Sequence, residues 1–154
     1  MERILVVEDD VDIRDMLVET LHRLGYQSDT ATNGREGLDS FRPGAHSVVI
    51  TDIRMPVMDG LSMLKAIKKA DARAAIIVIT GYPSVDSALE CMAEGADYYL
   101  VKPIKMDDLD AKIKKALEKR TMQCRLASVR TANLVMVLLI PVWILLGFFL
   151  SRWF

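Results

Sequence analysis

Ile4-Leu5-Val6-Val7-Glu8-Asp9-Asp10 is a run of four apolar residues that ends on three acids. A short unbroken apolar run reads as a strand buried on both faces, and such strands belong to parallel sheets covered by helices. Beyond it the period changes. Ile13, Leu17, Leu21 and Leu24 recur at helical spacing from Asp12 onward, and Gly25 ends the run. The alternation then repeats. Residues 27–31 form a short strand, and Gly34 to Phe41 a short helix with Leu38 and Phe41 inward. Ser47 to Thr51 make an apolar strand closed by Asp52, followed by a helix through Leu61, Met63, Leu64 and Ile67. Ala75 to Ile79 form a strand ending at Thr80, and Ser84 opens a helix through Val85, Ala88, Leu89 and Met92 that Gly95 stops. Tyr98 to Val101 form a fifth strand ending at Lys102-Pro103. Asp107 and Asp108 open a last helix with Leu109, Ile113, Ala116 and Leu117 on its inner face. Strand and helix alternate five times, which implies an α/β fold with a parallel sheet covered on both faces.

Length and composition agree with this reading. The chain has 154 residues, room for one domain with an appendage. Cys91 and Cys124 are too few for a disulfide framework or a cysteine-based zinc module, and a reducing setting fits them. The net charge of -1 hides a division. Residues 1–118 carry 15 Lys and Arg against 21 Asp and Glu, a net of -6, whereas residues 119–154 carry five basic residues and no acid. No nucleic-acid partner is expected of so acidic a domain, because phosphate contacts need clustered Lys and Arg.

Ligands of open α/β sheets bind outside the carboxyl ends of the strands. Glu8 and Asp9 follow the first strand, Asp52 the third, Thr80 the fourth and Lys102 the fifth, so all five are expected on one edge. Three carboxylates together repel unless compensated. Oxygen ligands select hard cations such as Mg2+, which together with Lys102 would balance them. A phosphoryl group would then be held by metal, ammonium and hydroxyl, which is the equipment of phosphoryl transfer. A carboxylate can itself be the nucleophile. Any one of these strand-end residues alone would read as a solvated loop residue, but the coincidence of all five does not.

Asp52-Ile53-Arg54-Met55-Pro56-Val57-Met58-Asp59-Gly60 sharpens the case. With residues 4–10, Thr80-Gly81-Tyr82 and Tyr98-Tyr99-Leu100-Val101-Lys102-Pro103, it closely resembles the receiver domain of two-component response regulators over about residues 1–120. The resemblance implies a flavodoxin-like sheet of five parallel strands in order 2-1-3-4-5. It implies that Asp52 accepts a phosphoryl group from a sensor histidine kinase or phosphotransfer protein, and that Glu8, Asp9, Asp52 and the backbone carbonyl of Arg54 hold Mg2+. Thr80 and Lys102 would bind the phosphoryl oxygens, and Tyr99 would be the aromatic switch that turns inward with Thr80. The resemblance also implies a cis Lys102-Pro103 peptide. Arg54 and Tyr82 match two positions that tune dephosphorylation; both are bulky and would shield the acyl phosphate from water. The downstream partner would be a protein, contacted through the face of the fourth helix, fifth strand and fifth helix. Strand alternation sends Tyr98 and Tyr99 to opposite faces, so one of them at most is the switch. Asp10, Asp12 and Asp59 read as helix-start acids, Met55 and Met58 as loop packing, and His22 and His46 carry no partner pattern.

After the receiver, residues 121–131 form a basic linker expected to be helical, and Ala132 to Leu150 run 19 residues without a charge. That length is ~29 Å as a helix, against ~30 Å of bilayer hydrocarbon. Four residues, 151–154, follow it. Lys119, Arg120, Arg125 and Arg130 precede the run and Arg152 follows it, so the expectation is a single-pass C-terminal anchor in the cytoplasmic membrane with the receiver facing the cytoplasm. Met122, Leu126 and Val129 leave three readings of the linker open: an interfacial amphipathic helix, a homodimer contact, or a plain connection. Two other functions compete with a phosphorylated switch. A non-phosphorylated scaffold that localises something at the membrane is disfavoured by the intact acid, hydroxyl and lysine set. An aspartate-nucleophile hydrolase would need a second Asp two residues after the first, where Arg54 stands. The chain is therefore expected to catalyse only its own phosphorylation and slow dephosphorylation, and not to be an enzyme on other substrates.

Overall fold

The computed structural model describes residues 2–124. Strands and helices alternate through β1 (Arg3–Val7), α1 (Val11–Arg23), β2 (Gln27–Ala31), α2 (Gly34–Ser40), β3 (His46–Asp52), α3 (Gly60–Ala70), β4 (Ala75–Thr80), α4 (Val85–Ala93) and β5 (Tyr98–Val101). A last helix, α5, covers 106–120. All strand pairs are parallel, in the order β2-β1-β3-β4-β5. The chain divides into two units, Met1–Arg120 and Thr121–Phe154. Residues 121–124 are helical. The expected span at 132–150 lies outside the described residues, among which no helix is long and apolar enough to cross a membrane.

The helices start where side chains replace missing backbone partners. Asp10 caps α1 by accepting from the amides of Asp12 and Ile13. Asn33, Asp59 and Ser84 do the same for α2, α3 and α4. Gly25 and Gly95, with φ of +84° and +102°, take the left-handed turns that end α1 and α4. Along each strand alternate residues serve opposite faces. Ile4, Val6, Val48, Ile50, Ile77 and Ile79 pack beneath Leu17 and Leu21 of α1 and Leu109 and Ile113 of α5. Leu5, Val7, Val49, Ile76 and Val78 meet Met63, Leu64 and Ile67 of α3 and Cys91 of α4. Each such fully buried aliphatic side chain contributes about 1.5–3 kcal/mol of burial.

One local expectation changes, and the structure settles which way a second helix faces. Phe41 is buried as expected but has left the helix: its backbone is extended and it caps α2. In α4 the apolar spacing does mark a helix, but Val85 and Leu89 are 75% and 65% exposed and Met92 is exposed too. The fully buried position of α4 is Cys91. The apolar stripe faces outward, because periodicity locates a stripe without saying which side the sheet covers.

Candidate functional site

Strand register builds the site. Val7 pairs with Thr51, which sets Glu8 and Asp52 level at the ends of neighbouring strands. Asp52 pairs with Ile79, so Thr80 lies one residue further out, and Thr80 pairs with Val101, just before Lys102. Lys102 sits two strands from Asp52 and three from Glu8, roughly 10 and 14 Å at ordinary strand spacing. Its long side chain closes that gap. Lys102 Nζ donates to Asp52 Oδ2 at 3.1 Å and to both Glu8 oxygens at 2.8 and 3.0 Å.

Glu8, Asp9 and Asp52 bring one carboxylate oxygen each to within 4.8 Å of one another. Glu8 is only 2% exposed, Asp52 is partly buried and Asp9 faces solvent. Burial pushes the Glu8 carboxyl above its ordinary value, and the charges of Asp52 and Asp9 push the same way against the pull of Lys102. Burial works to lower the Lys102 ammonium, but its hydrogen bonds to Glu8 and Asp52 and their charges outweigh it and hold the group above its ordinary value. An all-oxygen trio carrying more negative charge than one lysine offsets is a fit for a hard divalent cation such as Mg2+. These three side chains would hold it.

The loop after Asp52 is shaped by close contacts. The Asp52 carboxylate accepts from the Ile53 amide at 2.6 Å, and the Thr51 hydroxyl donates to the Asp52 carbonyl at 2.8 Å. The Gly60 amide closes the loop on the Ile53 carbonyl at 2.9 Å. A Cβ at Gly60 would lie 1.9 Å from the Asp52 carbonyl oxygen, so only glycine fits there. Lys102-Pro103 is cis.

Of the expected site residues, Glu8, Asp9, Asp52 and Lys102 converge directly. Thr80 stands at the same edge but its hydroxyl accepts from the Tyr82 amide at 3.2 Å, while its carbonyl receives the Lys102 amide. Tyr99 is half-buried against the α3 side of the core, and its hydroxyl shares a 2.8 Å hydrogen bond with Ser87 of α4. Tyr98 packs on the other face, with Lys112 Nζ 5.1 Å from its ring centroid. The Arg54 guanidinium lies 4.6 Å from the centroid of Tyr82, a cation–π pair across two loops.

Sequence reasoning missed two participants and, at the far end of β3, one buried pair. Ser87 belongs to the Ser84 capping box, for which the three-residue spacing was a signal. Arg14 Nη1 donates to the Glu8 carbonyl at 3.0 Å. His46, buried at the start of β3, shares a 2.8 Å hydrogen bond with Asp29 through Nε2 and accepts the Arg42 amide at Nδ1, and no sequence pattern announced that pair.

Comparison with known proteins agrees with this geometry. The family model of the response regulator receiver domain matches residues 4–114. The regulatory protein AtoC of Escherichia coli is 36% identical over 123 residues, which are 80% of this chain and 27% of that protein. The transcriptional regulatory protein PrrA of Mycobacterium tuberculosis is 36% identical over 118 residues, 77% of this chain and 51% of that one. The chain thus spans between about a quarter and a half of these relatives' length. Among solved structures, a receiver domain protein from Clostridium thermocellum superposes with a TM-score of 0.77 at 34% identity, covering 80% of this chain and 99% of the other. The response regulator TrrA from Thermotoga maritima, solved in complex with Mg2+ and BeF, gives a TM-score of 0.70 at 44% identity over 76% of this chain and all of that one. In sheet order, in the acidic edge and in sequence, this chain belongs to the response regulator receiver domain family.

Proposed function

We propose that the chain is a phosphorylation switch in which Asp52 is the phosphoacceptor. The observation that carries this reading is the Lys102 ammonium held between Asp52 and Glu8, with Asp9 beside them. An oxygen of the Asp52 carboxylate attacks the phosphorus of a phosphohistidine on a sensor kinase or phosphotransfer protein. The P–N bond breaks, its electron pair leaves on the imidazole, and an acyl phosphate forms. Mg2+, when bound, neutralises charge on the phosphoryl oxygens. Lys102 supplies a fixed positive charge on the other side. The Thr80 hydroxyl exchanges the Tyr82 amide for a phosphoryl oxygen, and Tyr99 leaves Ser87 as it follows Thr80 inward. The outward apolar residues of α4, with Val101 on β5, are then the surface that a downstream protein reads. The chain turns over no other substrate.

Intact mass of the full chain after treatment with acetyl phosphate and Mg2+ tests this directly. One added phosphoryl group is expected in the wild type, and none with Asp52→Asn or in EDTA. An unmodified wild type, under conditions that modify another receiver, would leave the scaffold reading in its place.

The anchor is a second, separable part of the proposal. The uncharged run 132–150 and the four cations before it support a single membrane pass with the receiver on the cytoplasmic side. Anchoring would confine the switch to partners at the membrane.

A further inference from the structure

The acid edge depends on the short loop that carries Glu8 and Asp9. The Glu8 amide donates to the Ala31 carbonyl at 3.1 Å, extending the β1–β2 pairing by one residue. Its carbonyl accepts from Arg14 Nη1 at 3.0 Å. On the far side, Asp10 is locked as the cap of α1 by the Asp12 and Ile13 amides at 2.9 and 3.2 Å. Asp9 is therefore slung between two fixed residues with its own carboxylate in solvent. Arg14 stands one turn into α1, its amide on the Asp10 carbonyl at 3.0 Å, and its guanidinium reaches back over that turn. One guanidinium thus ties the start of α1 to the end of β1.

We propose that Arg14 is a positioning residue for the divalent-cation site, acting through the Glu8 carbonyl on where Asp9 stands. The inference rests on the Mg2+-dependent reading above. The alternative is that Arg14 acts by charge alone, and the two have opposite signs. A cation close to the site repels a second cation, so by charge alone its removal would tighten Mg2+ binding. By positioning, removal weakens binding, because Mg2+ demands near-octahedral oxygens and loss of the groups that orient its ligands typically costs about 10–100-fold in affinity.

Calorimetric titration of the full chain with Mg2+ separates them, using wild type, Arg14→Ala, Arg14→Lys, Asp9→Asn and the Arg14→Ala/Asp9→Asn double variant. Melting temperature in EDTA serves as the measure of fold. The expected result is a Kd raised about tenfold by Arg14→Ala, an intermediate value for Arg14→Lys, and little further loss when Arg14→Ala is added to Asp9→Asn. An unchanged or lowered Kd in Arg14→Ala, or full additivity with Asp9→Asn, overturns the proposal. Should Arg14→Ala not fold, Arg14→Lys decides, since it keeps the charge: weaker binding supports positioning and unchanged binding overturns it. A wild type that binds no Mg2+ overturns the underlying reading as well, and is recognised because the loss is then present before any substitution.

Discussion

Arg54 and Tyr82 stand two residues beyond Asp52 and two beyond Thr80, on different loops, yet the guanidinium stacks over the ring at 4.6 Å. Both side chains are exposed, on the loops that leave Asp52 and Thr80. An acyl phosphate on Asp52 is lost by attack of water, and a stacked pair lowers the fraction of time that water has a clear approach. An exposed cation–π contact contributes about 0.5–1 kcal/mol, which corresponds to roughly a two- to fivefold change in that fraction. Tyr82→Ala and Arg54→Ala are each expected to speed loss of the phosphoryl group by about that factor, followed by intact mass after removal of the donor. Equal rates in wild type and both variants would show that the pair is no lid. Which side chains reach the edge was legible in the sequence, because strand ends and residue types are both written there. Their partners were not. Arg14 and Ser87 act through the direction in which a helical side chain leans, and Thr80 turns its hydroxyl to a backbone amide that no pattern specifies.

The elements carry two further consequences. The β3–α3 connection closes so tightly that a methyl at residue 60 would meet the Asp52 carbonyl oxygen at 1.9 Å and the Thr51 hydroxyl at 2.9 Å. Gly60→Ala must push β3 and α3 apart, which should cost about 2–3 kcal/mol in a urea melt, the upper part of the usual range for overpacking. It should also slow phosphorylation by displacing Asp52, and an unchanged midpoint would mean that the loop yields freely. At the other end of β3, Asp29 of β2 meets His46. The hydrogen bond from His46, then that from Arg3, holds the Asp29 carboxyl below its ordinary 3.8. A depressed carboxyl contributes stability that is fully present above the unfolded value and is lost as pH falls through the folded one. The stability gap between wild type and Asp29→Asn should therefore stay level from about pH 7 to about pH 5 and narrow only below 3.8. A gap that already narrows between about pH 7 and 5 would show that the depressed Asp29 carboxyl does not set the dependence. Strand and helix positions could be read from period and punctuation to within a residue or two. The outward stripe of α4 could not, since Val85, Leu89 and Met92 have the spacing of a buried face and lack only the neighbour to bury them.

At the scale of the whole molecule, the charge division separates two ways of reaching a membrane. Residues 1–118 carry a net -6 and would be repelled by an anionic surface, so any attraction must come from residues 119–154 with their five cations and their 19-residue uncharged run. Cations near an anionic surface each contribute about 1 kcal/mol at physiological salt. That attraction fades when the Debye length shrinks to ~3 Å at about 1 M salt. An apolar run that spans hydrocarbon is held by burial, which salt does not screen. The full chain, reconstituted with vesicles containing anionic lipid and floated through a density gradient, should therefore rise with the lipid at both about 0.1 M and about 1 M NaCl. A chain ending at residue 131 keeps four of the five cations and loses the run. It should float weakly at the lower salt and stay at the bottom at the higher. Release of the full chain by salt would reduce the tail to an electrostatic contact, and the switch would then visit the membrane without being confined to it.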